Sequence, residues 1–99
     1  MPFNGTAFPF NGSMVARVNE VGAVYGLFRY SPETRIFYCL YVGETDNLRR
    51  RLSEHLNNPP AAGITHFFAE TYGSATQRRE REAALIAEFQ PVGNAQLRR

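Results

Sequence analysis

The chain reads as an α+β domain: a small, mainly antiparallel sheet of three strands flanked by helices, in the order β-β-α-β-α. Three observations predict it. Residues 21–30 and 36–42 are apolar, β-branched and aromatic runs around a short turn, the pattern of a β-hairpin. Leu48, Leu52 and Leu56 recur every four residues, the core stripe of an amphipathic helix. Strands and helices mixed around one small sheet fit an α+β sandwich and not a doubly wound parallel fold.

The N-terminal residues 1–20 read as irregular. Pro2-Phe3-Asn4-Gly5 is echoed by Pro9-Phe10-Asn11-Gly12, and Asn-Gly and Pro mark turns. The two Phe of this echo are positioned to pin the segment onto a domain. A first strand covers 21–30, and Ser31-Pro32-Glu33-Thr34 is the turn. In the second strand, strict alternation sends Ile36, Tyr38, Leu40 and Val42 to one face and Phe37, Cys39 and Tyr41 to the other. Both faces are apolar, so the strand is expected to be covered on both sides. Gly43 is expected to end it as a turn.

Thr45 or Asp46 is positioned to cap a helix running to about Leu56. Arg51 and His55 are four residues apart and share one face of it, turned about 60° from the Leu stripe. Asn57-Asn58-Pro59-Pro60 stops the helix. Residues 64–72 read as a third strand. Ser74 with Gln77 matches a capping box for a last helix that reaches about Phe89. Leu85, Ile86 and Phe89 form its apolar side, and Glu82 lies on that same side. Pro91 prevents continuation, leaving a tail at 96–99 after a single domain over 21–95.

Ninety-nine residues, 43% of them apolar, support one modest core. No apolar run approaches a membrane span, and the N-terminus lacks the pattern of a signal peptide, so an intracellular, cytoplasmic protein is expected. Cys39 lies in an apolar run and reads as a buried inert thiol. No Cys/His cluster has zinc spacing. All eleven basic residues are Arg, against nine acidic residues, for a net charge of +2. They cluster at 49–51, at 78–81 and at 98–99. Arg binds phosphate through a planar fork, so the clusters point weakly to nucleic acid, since a charge run is more often a solvated helix face.

The chemistry-bearing residues form an ordered set. Tyr41-Val42-Gly43 closes the second strand, Arg51 and His55 follow on the helix, and Glu82-Ala83-Ala84-Leu85-Ile86 lies on the last helix, with Pro91 and Asn94 beyond. Each motif alone is common, but the set in this order is specific. It resembles the GIY-YIG nuclease family, whose two strand motifs it carries as Ala23-Val24-Tyr25 and Tyr41-Val42-Gly43. Ala23 stands where that family has Gly.

The resemblance implies a metal-dependent endonuclease that hydrolyses phosphodiester bonds in DNA, using Mg²⁺ or Mn²⁺. It assigns metal binding to Glu82, phosphate binding to Arg51, proton acceptance to Tyr25 and phosphate or water ordering to Tyr41. His55 would position Tyr25 or move a proton, and Asn94 would brace the Tyr-bearing strands. Arg49, Arg50, Arg78 and Arg79 would hold the nucleic-acid backbone. The plain alternatives are core tyrosines in a hairpin, a solvated Arg run, a bystander histidine and a turn asparagine. A carboxylate on the apolar side of a helix needs compensation, which favours function at Glu82. Two further possibilities stay open: a catalytically weak or inactive nucleic-acid-binding module of the same fold, and a nuclease acting on RNA. DNA is expected more than RNA, with a protein partner or a homodimer for targeting.

Overall fold

A computed structural model describes residue 3 and residues 5–95 of the chain. The expected tail at 96–99, with Arg98 and Arg99, lies outside the described residues, as do Pro2 and Asn4. The elements are β1 (Phe8–Pro9), α1 (Gly12–Val15), β2 (Ala23–Ser31), β3 (Ile36–Thr45), α2 (Leu48–Asn57), β4 (His66–Thr71), α3 (Ala75–Phe89) and α4 (Val92–Ala95). The sheet is antiparallel throughout, with strand order β1-β4-β2-β3. It therefore has four strands where three were expected. The extra one comes from the N-terminal segment, where Phe8 pairs with Phe67 and Pro9 with His66. Proline lacks an N–H, and β1 is the edge where that loss is tolerated. No described helix is long and apolar enough to cross a membrane.

Two apolar clusters, one on each face, sandwich the sheet. Tyr25, Leu27 and Tyr41 pack with Leu48 and Leu52 of α2 and Val15 of α1. Val24, Phe28, Val42 and Phe68 pack with Leu85 of α3 and with Phe3. Phe3 is 2% exposed and stacks on Phe68 and Phe89 at centroid distances of 6.0 and 6.2 Å. It fills the space over Gly26, where a Cβ would come within 2.7 Å of its ring. The N-terminal segment is thus pinned by Phe3, and Phe10 joins the opposite cluster.

Strict alternation fails in β3. Leu27 pairs with Tyr41 but Phe28 pairs with Cys39, so Leu40 is an extra residue at a bulge. Past the bulge the phase reverses. Tyr41 joins the cluster of Tyr25, and Val42 joins that of Phe37 and Cys39. Gly43 is also not a turn: β3 continues to Thr45, and Gly43 pairs with Tyr25 inside the ladder.

The helix caps follow local chemistry. Asn47, rather than Thr45 or Asp46, caps α2 by accepting from the Arg50 N–H at 3.0 Å. Thr45 Oγ1 accepts in turn from the Asn47 N–H at 3.1 Å. Ser74 caps α3 through the Gln77 N–H. Gln90 closes α3 in the left-handed conformation, φ 47°, and residues 92–95 form one more helical turn against β3.

Candidate active site

The site forms around β3, with α2 packed on one face of the sheet and α3 on the other. Tyr25 and Tyr41 share the α2 face of the sheet because of the Leu40 bulge, with ring centroids 6.2 Å apart. His55 closes the group from α2, 5.6 Å from the Tyr25 ring and 5.2 Å from that of Tyr41. The Tyr25 hydroxyl and His55 Nε2 lie 2.7 Å apart. Tyr25 is fully buried and His55 is 4% exposed, so this hydrogen bond satisfies both in a place with little water.

Gly43 makes that placement possible. A Cβ there would lie 2.5 Å from the Tyr25 hydroxyl and 3.0 Å from Tyr41 Cε2. The glycine thus lets the Tyr25 phenol lie across β3. Ala23, in contrast, pairs with Thr45 and Thr71 and is fully buried among the apolar residues of that cluster. The core absorbs its methyl group.

Burial pushes the Tyr25 hydroxyl above the ordinary phenol range, and Tyr41 adds to the shift while Arg51 opposes it. Arg51 alone therefore does not outweigh the loss of water, and Tyr25 is a phenol at neutral pH. Burial, and then the Arg51 charge, push His55 down to about 4. Its imidazole is neutral. In the tautomer with the ring proton on Nδ1, Nε2 accepts from the Tyr25 hydroxyl.

Arg51 reaches toward both tyrosines; the Glu54 carboxylate, and after it the two hydroxyls, favour its charged form. Its NH1 is also paired with Glu54 at 2.9 Å, a half-exposed ion pair one helical turn away. An open cleft between α2 and the following loop is lined by Tyr41, Arg51, Glu54, His55 and Pro60.

Glu82 comes from the other layer. α3 packs on β3, the edge strand, and carries Glu82 beside the backbone of Glu44. Burial raises the Glu82 carboxyl above its ordinary range, the Glu44 carboxylate raises it further, and the Glu44 backbone opposes both. Glu82 is near enough to Tyr25 to disfavour its ionisation. Among the described residues it forms no ion pair within 4 Å. Arg78, four residues earlier on α3, pairs with Glu44 at 3.1 Å.

Asn94 lies on α4 and is 7% exposed. Its Oδ1 accepts from the Val42 N–H and its Nδ2 donates to the Val42 carbonyl, each at 2.7 Å. It thus completes the open edge of β3 as another strand would, one residue from Tyr41 and Gly43.

Two of the four arginines expected on nucleic acid are engaged by acceptors within the protein. Arg78 is 8% exposed and donates to Glu44, Tyr72 O and Gly73 O. Gly22 leaves room for it, since a Cβ there would lie 2.3 Å from Arg78 NH1. Arg49 donates to Val18 O at 2.7 Å and pairs with Glu20, tying the N-terminal segment to α2. Arg50 and Arg79 do line an open groove beside Arg51, with Arg50 paired to Asp46. Sequence reasoning did not single out Glu44 or Glu54. The signals were there: Glu54 lies three residues beyond Arg51 on the helix, and Glu44 directly follows Gly43. The thiol of Cys39 is pushed up to about 12 by burial, in line with an inert role.

The family model for the GIY-YIG catalytic domain matches residues 30–97, more than half of the chain. The chain belongs to the GIY-YIG family. The matched stretch holds Tyr41-Val42-Gly43, Arg51, His55, Glu82 and Asn94, and begins after Tyr25. The fold extends the likeness across β2. The chain is similar to the GIY-YIG N-terminal endonuclease domain of UvrC from Thermotoga maritima, bound to its catalytic divalent cation, magnesium. That similarity has a TM-score of 0.65 and 19% identity, covering 82% of this chain and 91% of that one. Two point mutants of the same domain, an Asn-to-Ala and a Tyr-to-Phe form, each match with a TM-score of 0.65, at 19% and 18% identity. They cover 82% of this chain, and 90% and 91% of theirs. No curated protein matches the chain. The antiparallel sheet flanked by helices is the GIY-YIG fold.

Proposed function

We propose that this GIY-YIG domain is a divalent-metal-dependent endonuclease that hydrolyses phosphodiester bonds in DNA. The observation that carries the reading is the buried Tyr25–His55 hydrogen bond, 2.7 Å long, directly behind a cleft that His55 lines together with Tyr41 and Arg51. A phenol and a neutral imidazole joined in this way form a proton relay. Water aimed at phosphorus gives its proton to the Tyr25 oxygen as the phenolic proton passes to His55 Nε2. No free phenolate forms, which suits a hydroxyl that burial keeps protonated. Burial is the main cause that lowers the imidazole and the Arg51 charge adds to it; phosphate beside Arg51 offsets that second part, and so makes His55 a better base when substrate is bound.

Arg51 binds the scissile phosphate and stabilises the charge that builds on it. Tyr41, beside it, hydrogen-bonds the same phosphate or orders water. Asn94 and Gly43 act on placement: one clamps β3, the other leaves room for the Tyr25 hydroxyl. Arg50 and Arg79 extend positive charge along the groove.

The residues fit a divalent cation. Glu82 is half-buried, carries the added repulsion of Glu44 and lies near Tyr25, so a cation there relieves an unfavourable charge. The described residues hold no cluster of three His, Cys, Asp or Glu. That suits Mg²⁺, or Mn²⁺ in its place, which is held by one or two carboxylates with waters and substrate phosphate completing its shell. The bound cation would supply Lewis-acid stabilisation of phosphate and leaving oxygen. The remaining expectations keep their place beside this one: a cytoplasmic setting, and targeting by a partner or by a second copy.

The test is cleavage of supercoiled plasmid and single-stranded DNA by wild type and Glu82→Ala, with Mg²⁺, Mn²⁺ or chelator. Metal-dependent nicking by wild type, absent in the variant, is expected. Equal nicking by both would overturn the assignment of Glu82. Retention of DNA without cleavage would move the protein to a binding role, and cleavage confined to RNA would change the substrate.

A further inference from the structure

We propose that the surface running from the cleft past Pro59 and Pro60 to the Arg29–Tyr38 pair binds an unpaired nucleic-acid strand next to the scissile phosphate. This rests on the nuclease reading and narrows its substrate to nucleic acid with a single-stranded segment at the cut.

Three observations form one path. Pro59 and Pro60 line the catalytic cleft together with Arg51 and His55. The same two prolines line a neighbouring hollow of 710 Å³, walled by Phe10, Ala62, Ile64 and Val92. Gly63 completes that wall and approaches the Arg29 side chain, a Cβ there meeting its Cδ at 3.4 Å. Arg29 stacks over the Tyr38 ring, 4.7 Å from its centroid. Tyr38 is 39% exposed. Arg29 and Tyr38 are a cross-strand pair, on the same sheet face as Tyr25 and Leu27.

The chemistry along the path selects the occupant. The hollow offers no charged or hydrogen-bonding side chain, so its walls suit a base or sugar better than a phosphate. It opens beside the Arg that holds one. A strand whose phosphate sits on Arg51 and that leaves the cleft on the side away from Arg79 places its next base or sugar over the prolines. A paired base hides both faces in the duplex, whereas an unpaired base presents an apolar face to such a wall. Further on, an exposed ring with a guanidinium beside it is the combination that stacks a base and holds its phosphate. Stacking tolerates any base, so the tract reads strandedness and not sequence.

Binding is measured in chelator by fluorescence anisotropy, with a labelled twelve-nucleotide oligothymidine and a duplex of the same length. Wild type is expected to hold the single strand more tightly than the duplex. Tyr38→Ala is expected to lose about tenfold on the single strand and little on the duplex. Tyr38→Trp provides a second readout. The chain has no Trp, so the new indole is its sole Trp fluorophore. Its emission is expected to be quenched as the strand binds, with affinity near that of wild type. Retained duplex affinity in Tyr38→Ala excludes misfolding as the cause of its single-strand loss. Unaltered single-strand affinity in Tyr38→Ala, or bound strand with unchanged indole emission, overturns the proposal. Tighter binding of duplex by wild type does so too and leaves the hollow to an apolar protein segment. Chelator separates the two readings: the tract is tested whether or not the chain cleaves, and cleavage with normal Tyr38→Ala binding removes the tract alone.

Discussion

Gly43→Ala puts one methyl group where the fold has no room for it. The new Cβ would sit 2.5 Å from the Tyr25 hydroxyl, 2.7 Å from its Cζ and 3.0 Å from Tyr41 Cε2. Carbon atoms pack at about 3.5–4.0 Å, so the Tyr25 ring must retreat by roughly 1 Å. It cannot swing into solvent, because it is fully buried between α2 and the sheet. Overpacking of this kind costs about 1–3 kcal/mol. With a urea m-value of about 1–3 kcal/mol per molar, that lowers the unfolding midpoint by roughly 1 M. A 1 Å displacement of the Tyr25 hydroxyl from His55 Nε2 breaks their hydrogen bond, and misplacement on that scale costs about 10²-fold in turnover. The assay pairs urea unfolding with plasmid nicking at saturating metal. A double-mutant cycle sharpens it. In the Tyr25→Phe background the nearest clashing atom is gone, so the same Gly43→Ala change should cost less, with a coupling of about 0.5–3 kcal/mol. A Gly43→Ala protein with an unchanged midpoint and full nicking would refute the reasoning. So would equal costs in the two backgrounds.

Asn94→Ala removes both hydrogen bonds to Val42 and bares the edge of β3; a loss of about 1–3 kcal/mol is expected in urea unfolding, with nicking reduced more than stability accounts for. His55 predicts a pH dependence of stability. Its folded-state pKa, about 4, lies below the ordinary 6.5, so between these values the unfolded chain binds the extra proton. The stability contributed by the neutral, buried ring is complete above about pH 6.5 and is lost as pH falls toward 4, to a total of about 2–3 kcal/mol. Other groups titrate in the same range, so the readout is the difference between wild type and His55→Gln. Parallel stability profiles for the two proteins would contradict it.

Much of the fold was legible in the sequence because it is written in local chemistry. The Leu48–Leu52–Leu56 stripe, the Ser74 cap, the hairpin runs and the stop at Pro59 each depend on neighbours a few residues away. The ordered set Tyr25, Tyr41, Arg51, His55, Glu82 and Asn94 was legible for the same reason, since each falls at a set place on its own element. The strand role of Phe8 and Pro9 was hidden, because two residues carry no periodicity and pair only once β4 is in place.

What the tertiary structure alone decided concerns partners distant in sequence. Alternation along β3 puts Tyr41 on the wrong face until the bulge at Leu40 reverses the phase, and that bulge appears only in the pairing with β2. Gly43 looks like a turn by composition, yet the bulk of Tyr25, eighteen positions earlier, explains it. An Arg cluster on paper divides in space. Arg78 and Arg49 are taken up by carbonyls and carboxylates of other elements, while Arg50, Arg51 and Arg79 face the groove. Charge and residue type are properties of the chain. Whether a guanidinium is free to meet a phosphate depends on which acceptor the fold brings to it first.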